Sequence, residues 1–218
     1  MSIKGKQMNN EAIDFFSKLA LKNDLNSKTV KLAKNTDYAD LDAKFILKYA
    51  DIKTNILDLG TGTGLIVNKI YKHVNSIDCV ELFEQFSRFI VVDEKINVIN
   101  TNVWEFDTSK KYDVITMFGL MQYFNEDEAR KVYQKYYNFV ASKGKFIIKN
   151  QFGIKDDVTV SGYSEEQQSE YFSQYRHIDK EVDILKNIGL RNIEVIDVYP
   201  PEGNRWSNTH FYAIVAEK

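Results

Sequence analysis

The sequence predicts an α/β fold: a seven-stranded, mostly parallel sheet that ends in an antiparallel hairpin, with helices on both faces and an N-terminal helical layer. Three observations carry this expectation. From Asn55 onward, short β-branched runs alternate with amphipathic segments, and strand–helix alternation of this kind closes into a parallel sheet covered on both faces. The turn between the last two runs is short enough to make them an antiparallel hairpin. A composition of 44% hydrophobic and 28% charged residues lets 218 residues bury a core and keep a solvated surface, which excludes disorder and fibrous repeats. No internal repeat or Gly/Pro/Ser-rich linker divides the chain, so residues 1–218 are expected to form a single domain.

The elements follow in order. Residues 1–50 are read as a helical cap, because Phe15, Phe16, Leu19 and Ala20 recur at helical spacing and Leu41 to Tyr49 repeats the pattern after Asp40. Strands are expected at Asn55 to Leu59, Ser76 to Val80, Ile96 to Asn100, Tyr112 to Phe118 and Lys145 to Asn150. A helix should run from the N-cap Asn125, with Glu128 three residues on, to about Val140, with Gly144 close behind. Residues 151–175 read as an irregular stretch, long for a compact domain and therefore an acceptor-side insertion or lid, within which Ser164 and Gln167 would cap one short helix. A last helix, Asp179 to Asn187, stops at Gly189, and the final strands are expected at Asn192 to Val198 and His210 to Ala216.

Charge and cysteine usage narrow the function classes. Lys and Arg number 29 against 31 Asp and Glu, a net charge of -2, so no bulk field draws the chain to nucleic acid. The single cysteine, Cys79, allows neither an internal disulfide nor a cysteine-based zinc site, which fits a reducing compartment. Met1 to Asn10 is polar, and no apolar run approaches the roughly 20 residues of a membrane span, so a cytoplasmic protein without membrane contact is expected.

The most informative stretch is Ile56-Leu57-Asp58-Leu59-Gly60-Thr61-Gly62-Thr63-Gly64, a buried strand that ends in a glycine-rich turn and runs into a helix. Glycines let the backbone approach a ligand closely, and the helix start offers unpaired N–H groups. A dinucleotide fingerprint would want glycine at position 65, which is Leu65, and has no need of Asp58. From about Leu41 to the C-terminus the sequence resembles the class I S-adenosylmethionine-dependent methyltransferases, whose Rossmann-like seven-stranded sheet ends in the same antiparallel hairpin. The resemblance implies S-adenosylmethionine as cofactor and S-adenosylhomocysteine as product. It places Asp58, Gly60, Thr61, Gly62 and Gly64 around the cofactor, with Glu81 and its neighbour Leu82 at the tip of the second strand. Glu81, 17 residues after Gly64, would accept bonds from both ribose hydroxyls. Asn102 and Val103 would meet adenine at its amine and face, while Trp104 either joins them or belongs to the core. Phe118, Gly119 and Leu120 would border the methionine moiety. Met117 and Met121 are read as core, and Asn35, Asp37 and Tyr38 as a flap over the cofactor.

The acceptor is read from the carboxyl rim of the sheet, where open α/β folds bind ligands. Gln122 and Tyr123 should face it, joined by the rim clusters Lys149-Asn150-Gln151, Tyr175-Arg176-His177 and Arg205 to His210. Arg176 and Arg205 are expected to clamp an anionic group, Trp206 and Tyr163 to stack on a sugar or ring, and His177 and His210 to be the candidate general bases, titrating near neutral pH. His73 is expected to be solvated. The adjacent acids Asp156-Asp157 read as a solvated loop, so no metal is expected. No Asp/Asn-Pro-Pro-Tyr follows the fourth strand and Cys79 lies within a strand, which argues against nucleic-acid methylation. The rim segments resemble bacterial methylases that tailor sugars in surface glycan and capsule biosynthesis. The leading expectation is therefore O-methylation of a sugar, nucleotide sugar or phosphorylated metabolite. N-methylation of an amino sugar and a non-catalytic nucleoside-binding partner subunit are the alternatives.

Overall fold

A computed structural model describes residues 8–30, 38–164, 169–204 and 206–218. Nine strands and six α-helices are assigned there: α1 (Met8–Ala20), α2 (Ala39–Ile46), β1 (Asn55–Leu59), α3 (Val67–Ile70), β2 (Ser76–Glu81), α4 (Glu84–Ser87), β3 (Ile96–Asn100), β4 (Tyr112–Phe118), α5 (Glu126–Tyr137), β5 (Val140–Gly153), β6 (Val158–Ser164), β7 (Ser169–Tyr175), α6 (Ile178–Asn187), β8 (Arg191–Asp197) and β9 (Thr209–Glu217). Seven strands form one sheet in the order β3-β2-β1-β4-β5-β9-β8. The first five are mutually parallel, and β9 runs antiparallel to both β5 and β8. Strand order reverses between β1 and β4, so a crevice opens at their carboxyl ends, the place such sheets use for ligands.

Two apolar layers cover the sheet. Leu57, Leu59, Ile115, Met117, Phe146 and Ile148 pack with α5 and α6 on one face, while Ile56, Ile77, Cys79, Val114 and Ile147 pack with α2 and α3 on the other. Near-continuous burial of β1 and β4 follows from covering both faces of a parallel sheet, and it is why their runs of Ile, Leu and Val were readable as strands. At α5 the expected cap is formed reciprocally: Glu128 N donates to Asn125 Oδ1 and Asn125 N to Glu128 Oε2, each at 2.9 Å.

The stretch 151–175 differs from expectation. Gln151 to Gly153 extend β5, and β6 and β7 form an antiparallel hairpin outside the main sheet, paired from Val158↔Tyr175 to Ser164↔Ser169. Val158, Val160, Tyr171 and Phe172 favour extended backbone, and local pairing satisfies the backbone groups an irregular loop would leave open. Ser164 therefore ends a strand rather than capping a helix, and Gln167 lies outside the described residues. The N-terminal layer is also less helical than expected, with turns over residues 21–30 separating α1 from the undescribed residues before Tyr38.

Candidate active site

The chain leaves β1 through a turn in which Gly60, Gly62 and Gly64 all have positive φ, at 68°, 58° and 74°. Gly64 illustrates why no side chain fits, since a Cβ there would stand 2.7 Å from Ile90 Cγ1. The turn is tied to β2 by Gly60 N and Thr61 N, which donate to Val80 O at 2.9 and 3.2 Å. Glu81 ends β2 beside it. Its Oε2 accepts from Gly62 N at 2.7 Å and its Oε1 from Phe83 N at 2.9 Å, so each carboxylate oxygen is aimed by one backbone N–H and keeps accepting capacity. Burial pushes the Glu81 carboxyl above its ordinary pKa, while the N–H groups of Phe83 and Gly62 pull it back down. Asp58 within β1 is pushed up to about 6 by burial, against the opposing hydrogen bond from Thr116 Oγ1 at 2.5 Å.

These residues line a cavity of about 660 Å³. Asp58, Gly60, Thr61, Gly62, Glu81, Leu82, Asn102 and Val103 are part of its wall, together with Phe118, Gly119, Leu120 and Tyr38. Asn102 has its own backbone task, since its Oδ1 accepts from Trp104 N at 2.9 Å. Gln122, Tyr123, Gln151 and Tyr175 also line the cavity, as does Phe16 of α1, whose ring lies 5.2 Å from that of Tyr123 and 6.4 Å from that of Phe86. Gln151 is fixed by Nε2 donating to Thr209 Oγ1 at 2.5 Å. Burial holds the Tyr123 hydroxyl well above its ordinary pKa, so it enters the cavity as a neutral phenol.

Other expected site residues lie apart from this wall. Gly64 sits behind the turn, and Trp104, partly buried, packs edge-on against Phe124 at 5.5 Å beside the core. Arg176 is 3% exposed and committed within the protein: Nε and Nη2 donate to Glu181 at 2.6 and 3.0 Å, Nη2 also donates to Met121 O at 3.0 Å, and Nη1 donates to Phe124 O. Tyr133 donates to the same carboxylate. A guanidinium so used ties α6 to the loop after β4 and is not presented to an acceptor. His177 starts α6, where its N donates to Asp157 Oδ1 at 2.8 Å and its Nε2 lies 3.1 Å from Ile154 O. His210 lies on β9 with Nε2 2.9 Å from Asp197 Oδ2 and its ring 4.3 Å from that of Tyr212. Neither imidazole lines the cavity. Tyr163 is 62% exposed on β6, and Trp206 is 39% exposed with its ring 5.7 Å from that of Tyr175, both outside the lining. Arg205, Asn35 and Asp37 lie outside the described residues. Asp157 is salt-bridged to Lys180 at 2.8 Å, and among the described residues no group of three or more His, Cys, Asp or Glu is placed to share a metal ion.

Sequence reasoning placed Lys149 on the rim but missed the two partners that hold it on the cavity wall. Asp42 of α2, Lys149 of β5 and Tyr199 after β8 bond to one another there. Counting them, the described lining carries the carboxylates of Asp42, Asp58, Glu81 and Glu202 against the single ammonium of Lys149. The available signal was Lys149 itself, a lysine continuing the buried run Phe146-Ile147-Ile148, where a charge needs a partner.

Residues 56–144, from β1 through the start of β5, match the family model described as a methyltransferase domain. That stretch carries a methyltransferase domain, which supports S-adenosylmethionine-dependent methyl transfer. The chain's fold recurs in solved structures at low identity. A DhpI complex with S-adenosylhomocysteine superposes with a TM-score of 0.71 at 11% identity, covering 96% of each chain. The N-methyltransferase NodS from Bradyrhizobium japonicum WM9, also bound to S-adenosylhomocysteine, gives 0.65 at 12% identity, covering 97% of this chain and 99% of that one. The 1,6-didemethyltoxoflavin-N1-methyltransferase of Burkholderia thailandensis gives 0.70 at 15%, covering 100% and 92%. No curated protein matches the sequence. The cavity fits the cofactor that the domain implies: Gly60 and Gly62 line it without side chains, and Glu81 is held with free acceptor capacity beside them. No helix among the described residues is long and apolar enough to cross a membrane.

Proposed function

We propose that the methyltransferase methylates an amine on a small polar molecule, an amino sugar being one such acceptor, bound in the aromatic end of the cavity. The single observation that carries this reading is the charge of the lining: the carboxylates of Asp42, Asp58, Glu81 and Glu202 against one ammonium among the described residues, with no imidazole. Such a wall favours a cationic or neutral guest over a phosphate or carboxylate. An amine also needs no side-chain base at the reacting atom, because it attacks once it has lost its proton to solvent, whereas a hydroxyl acceptor would call on a base that neither His177 nor His210 is placed to be.

The cofactor supplies an electrophilic methyl on a sulfonium. The chain's own part is positioning. Glu81 would accept from both ribose hydroxyls, Val103 would lie against adenine with Asn102 at its edge, and the backbone carbonyls near Phe118 and Gly119 would face the amino-acid end. Tyr123, Tyr175 and Gln151 would hold the acceptor, their hydroxyl and amide groups fixing its direction and their rings its plane. In-line transfer requires the acceptor nitrogen about 3–3.5 Å from the methyl carbon. Phe16 on α1, closing against Tyr123, keeps water out of that line.

The test is a paired panel of small amines and their alcohol analogues incubated with methyl-labelled S-adenosylmethionine, the product mapped by NMR. Label on nitrogen is the expected result. Transfer confined to alcohols or phosphorylated compounds would refute the amine reading and favour O-methylation.

A further inference from the structure

The buried cluster of Asp42, Lys149 and Tyr199 has no part in the positioning described above. Lys149 Nζ donates to Asp42 Oδ2 at 2.7 Å and to the Tyr199 hydroxyl, which itself donates to Asp42 at 2.9 Å. The Lys149 and Asp42 side chains are only 10% and 8% exposed, and both residues line the cavity. Burying an ion pair carries a large desolvation cost, and well-packed apolar residues of similar volume often hold two elements together as well. An ion pair kept in a ligand-facing wall therefore calls for a ligand.

Position indicates which part of a ligand it meets. In the sheet, β2 and β3 lie on one side of β1, and β4 and β5 on the other. A nucleoside gripped by Glu81 on β2 thus directs its remaining chain across the glycine turn toward β4 and β5. Lys149 is the register partner of Phe118, Gly119 N donates to Lys149 O at 2.8 Å, and Lys149 Nζ lies 5.0 Å from the Phe118 ring centre. The chain that arrives there in S-adenosylmethionine or S-adenosylhomocysteine ends in an α-ammonium and an α-carboxylate. Among the described lining residues Lys149 is the one cation, and Asp42 is the acid bonded to it.

We infer that Asp42 and Lys149 are the ionic complement of the cofactor's amino-acid end, Lys149 toward its carboxylate and Asp42 toward its ammonium, with Tyr199 holding the pair in register. This rests on the S-adenosylmethionine reading and adds to it the residues that distinguish the whole cofactor from a bare thioadenosine. A zwitterion set against a zwitterion leaves the net charge of the wall unchanged.

Calorimetry with two probes tests it, S-adenosylhomocysteine carrying the amino acid and 5′-methylthioadenosine lacking it. The double variant Asp42→Asn with Lys149→Met removes both charges together, so neither is left buried alone. Its affinity for S-adenosylhomocysteine should fall at least tenfold, while that for 5′-methylthioadenosine stays within twofold of wild type. Equal weakening of both probes, or an unchanged S-adenosylhomocysteine affinity, overturns the inference. Should the double variant not fold, the wild-type protein answers with the decarboxylated analogue of S-adenosylhomocysteine: binding at least tenfold weaker than the parent is expected, and equal binding overturns it. A wild-type protein that binds neither S-adenosylhomocysteine nor 5′-methylthioadenosine would instead remove the cofactor reading on which the inference stands, and the inference with it.

Discussion

Replacing Glu81 by alanine removes the carboxylate proposed to grip the ribose diol. In the wild type, Gly62 N and Phe83 N each occupy one position on the carboxylate, at 2.7 and 2.9 Å, and leave both oxygens able to accept again toward the cavity. Hydrogen bonds to a charged acceptor contribute about 1.5–3 kcal/mol each, and two ribose hydroxyls can use them. Water entering the truncated site recovers part of that, so a net loss of about 2.7 kcal/mol, or roughly a hundredfold in Kd, is expected, with tenfold as the floor. Isothermal titration with S-adenosylhomocysteine reads this directly, and a thermal melt of the same sample establishes that the variant is folded. Acidification adds a second readout. Because burial raises the Glu81 pKa, protonation should weaken wild-type binding at a higher pH than an ordinary glutamate would, and the Ala variant should lose that component. A folded Glu81→Ala protein with unchanged affinity would refute the assignment of Glu81 to the pentose.

Further expectations follow from the same geometry. Asp58→Asn should stabilise the fold at pH 7: a carboxyl raised from 3.8 to about 6 by burial contributes stability below pH 3.8 that is lost as pH rises through 6, at most about 3 kcal/mol since the group faces the cavity, so the gain measured by urea denaturation should vanish toward pH 4. Arg176→Met strands the Glu181 carboxylate and should cost about 3–5 kcal/mol in denaturant unfolding, whereas adding Glu181→Leu should restore most of it; a variant of wild-type stability would show that the pair is not structural. Gly64→Ala places a Cβ against Ile90 at φ 74° and should lower stability by about 1–2 kcal/mol or more, seen as a fall in the urea midpoint. If the acceptor is an amine, kcat/KM should rise with pH until the free amine predominates; a flat profile over pH 6–9 would count against it.

Much of the fold was legible because burial on both faces imposes long apolar runs. β1 and β4 occupy the residues their sequence runs indicated, and Asn125 and Glu128 marked the start of α5. The β6–β7 hairpin was not, because Thr159, Ser161, Ser173 and Gln174 interrupt its apolar residues and make a strand look like a loop when only one local partner supports it. At the site, the glycine turn and Glu81 are close in sequence to the elements that aim them and could be read. Asp42 and Tyr199 are separated from each other by 157 residues, and no local pattern reports such a pairing. Arg176 and His177 show the converse failure. They lie next to one another at a helix start, yet Glu181 one turn on claims the guanidinium and Ile154 O meets the imidazole, so residues that look like a rim cluster in the sequence are spent on structure.

A crystal structure of the protein with S-adenosylhomocysteine puts the central claim to its most direct test. The ligand should lie over the glycine turn with both ribose hydroxyls at hydrogen-bond distance from the Glu81 carboxylate and its amino-acid end beside Phe118 and Gly119. Density for the ligand elsewhere, or a pocket that stays closed by protein at saturating concentration, would contradict it.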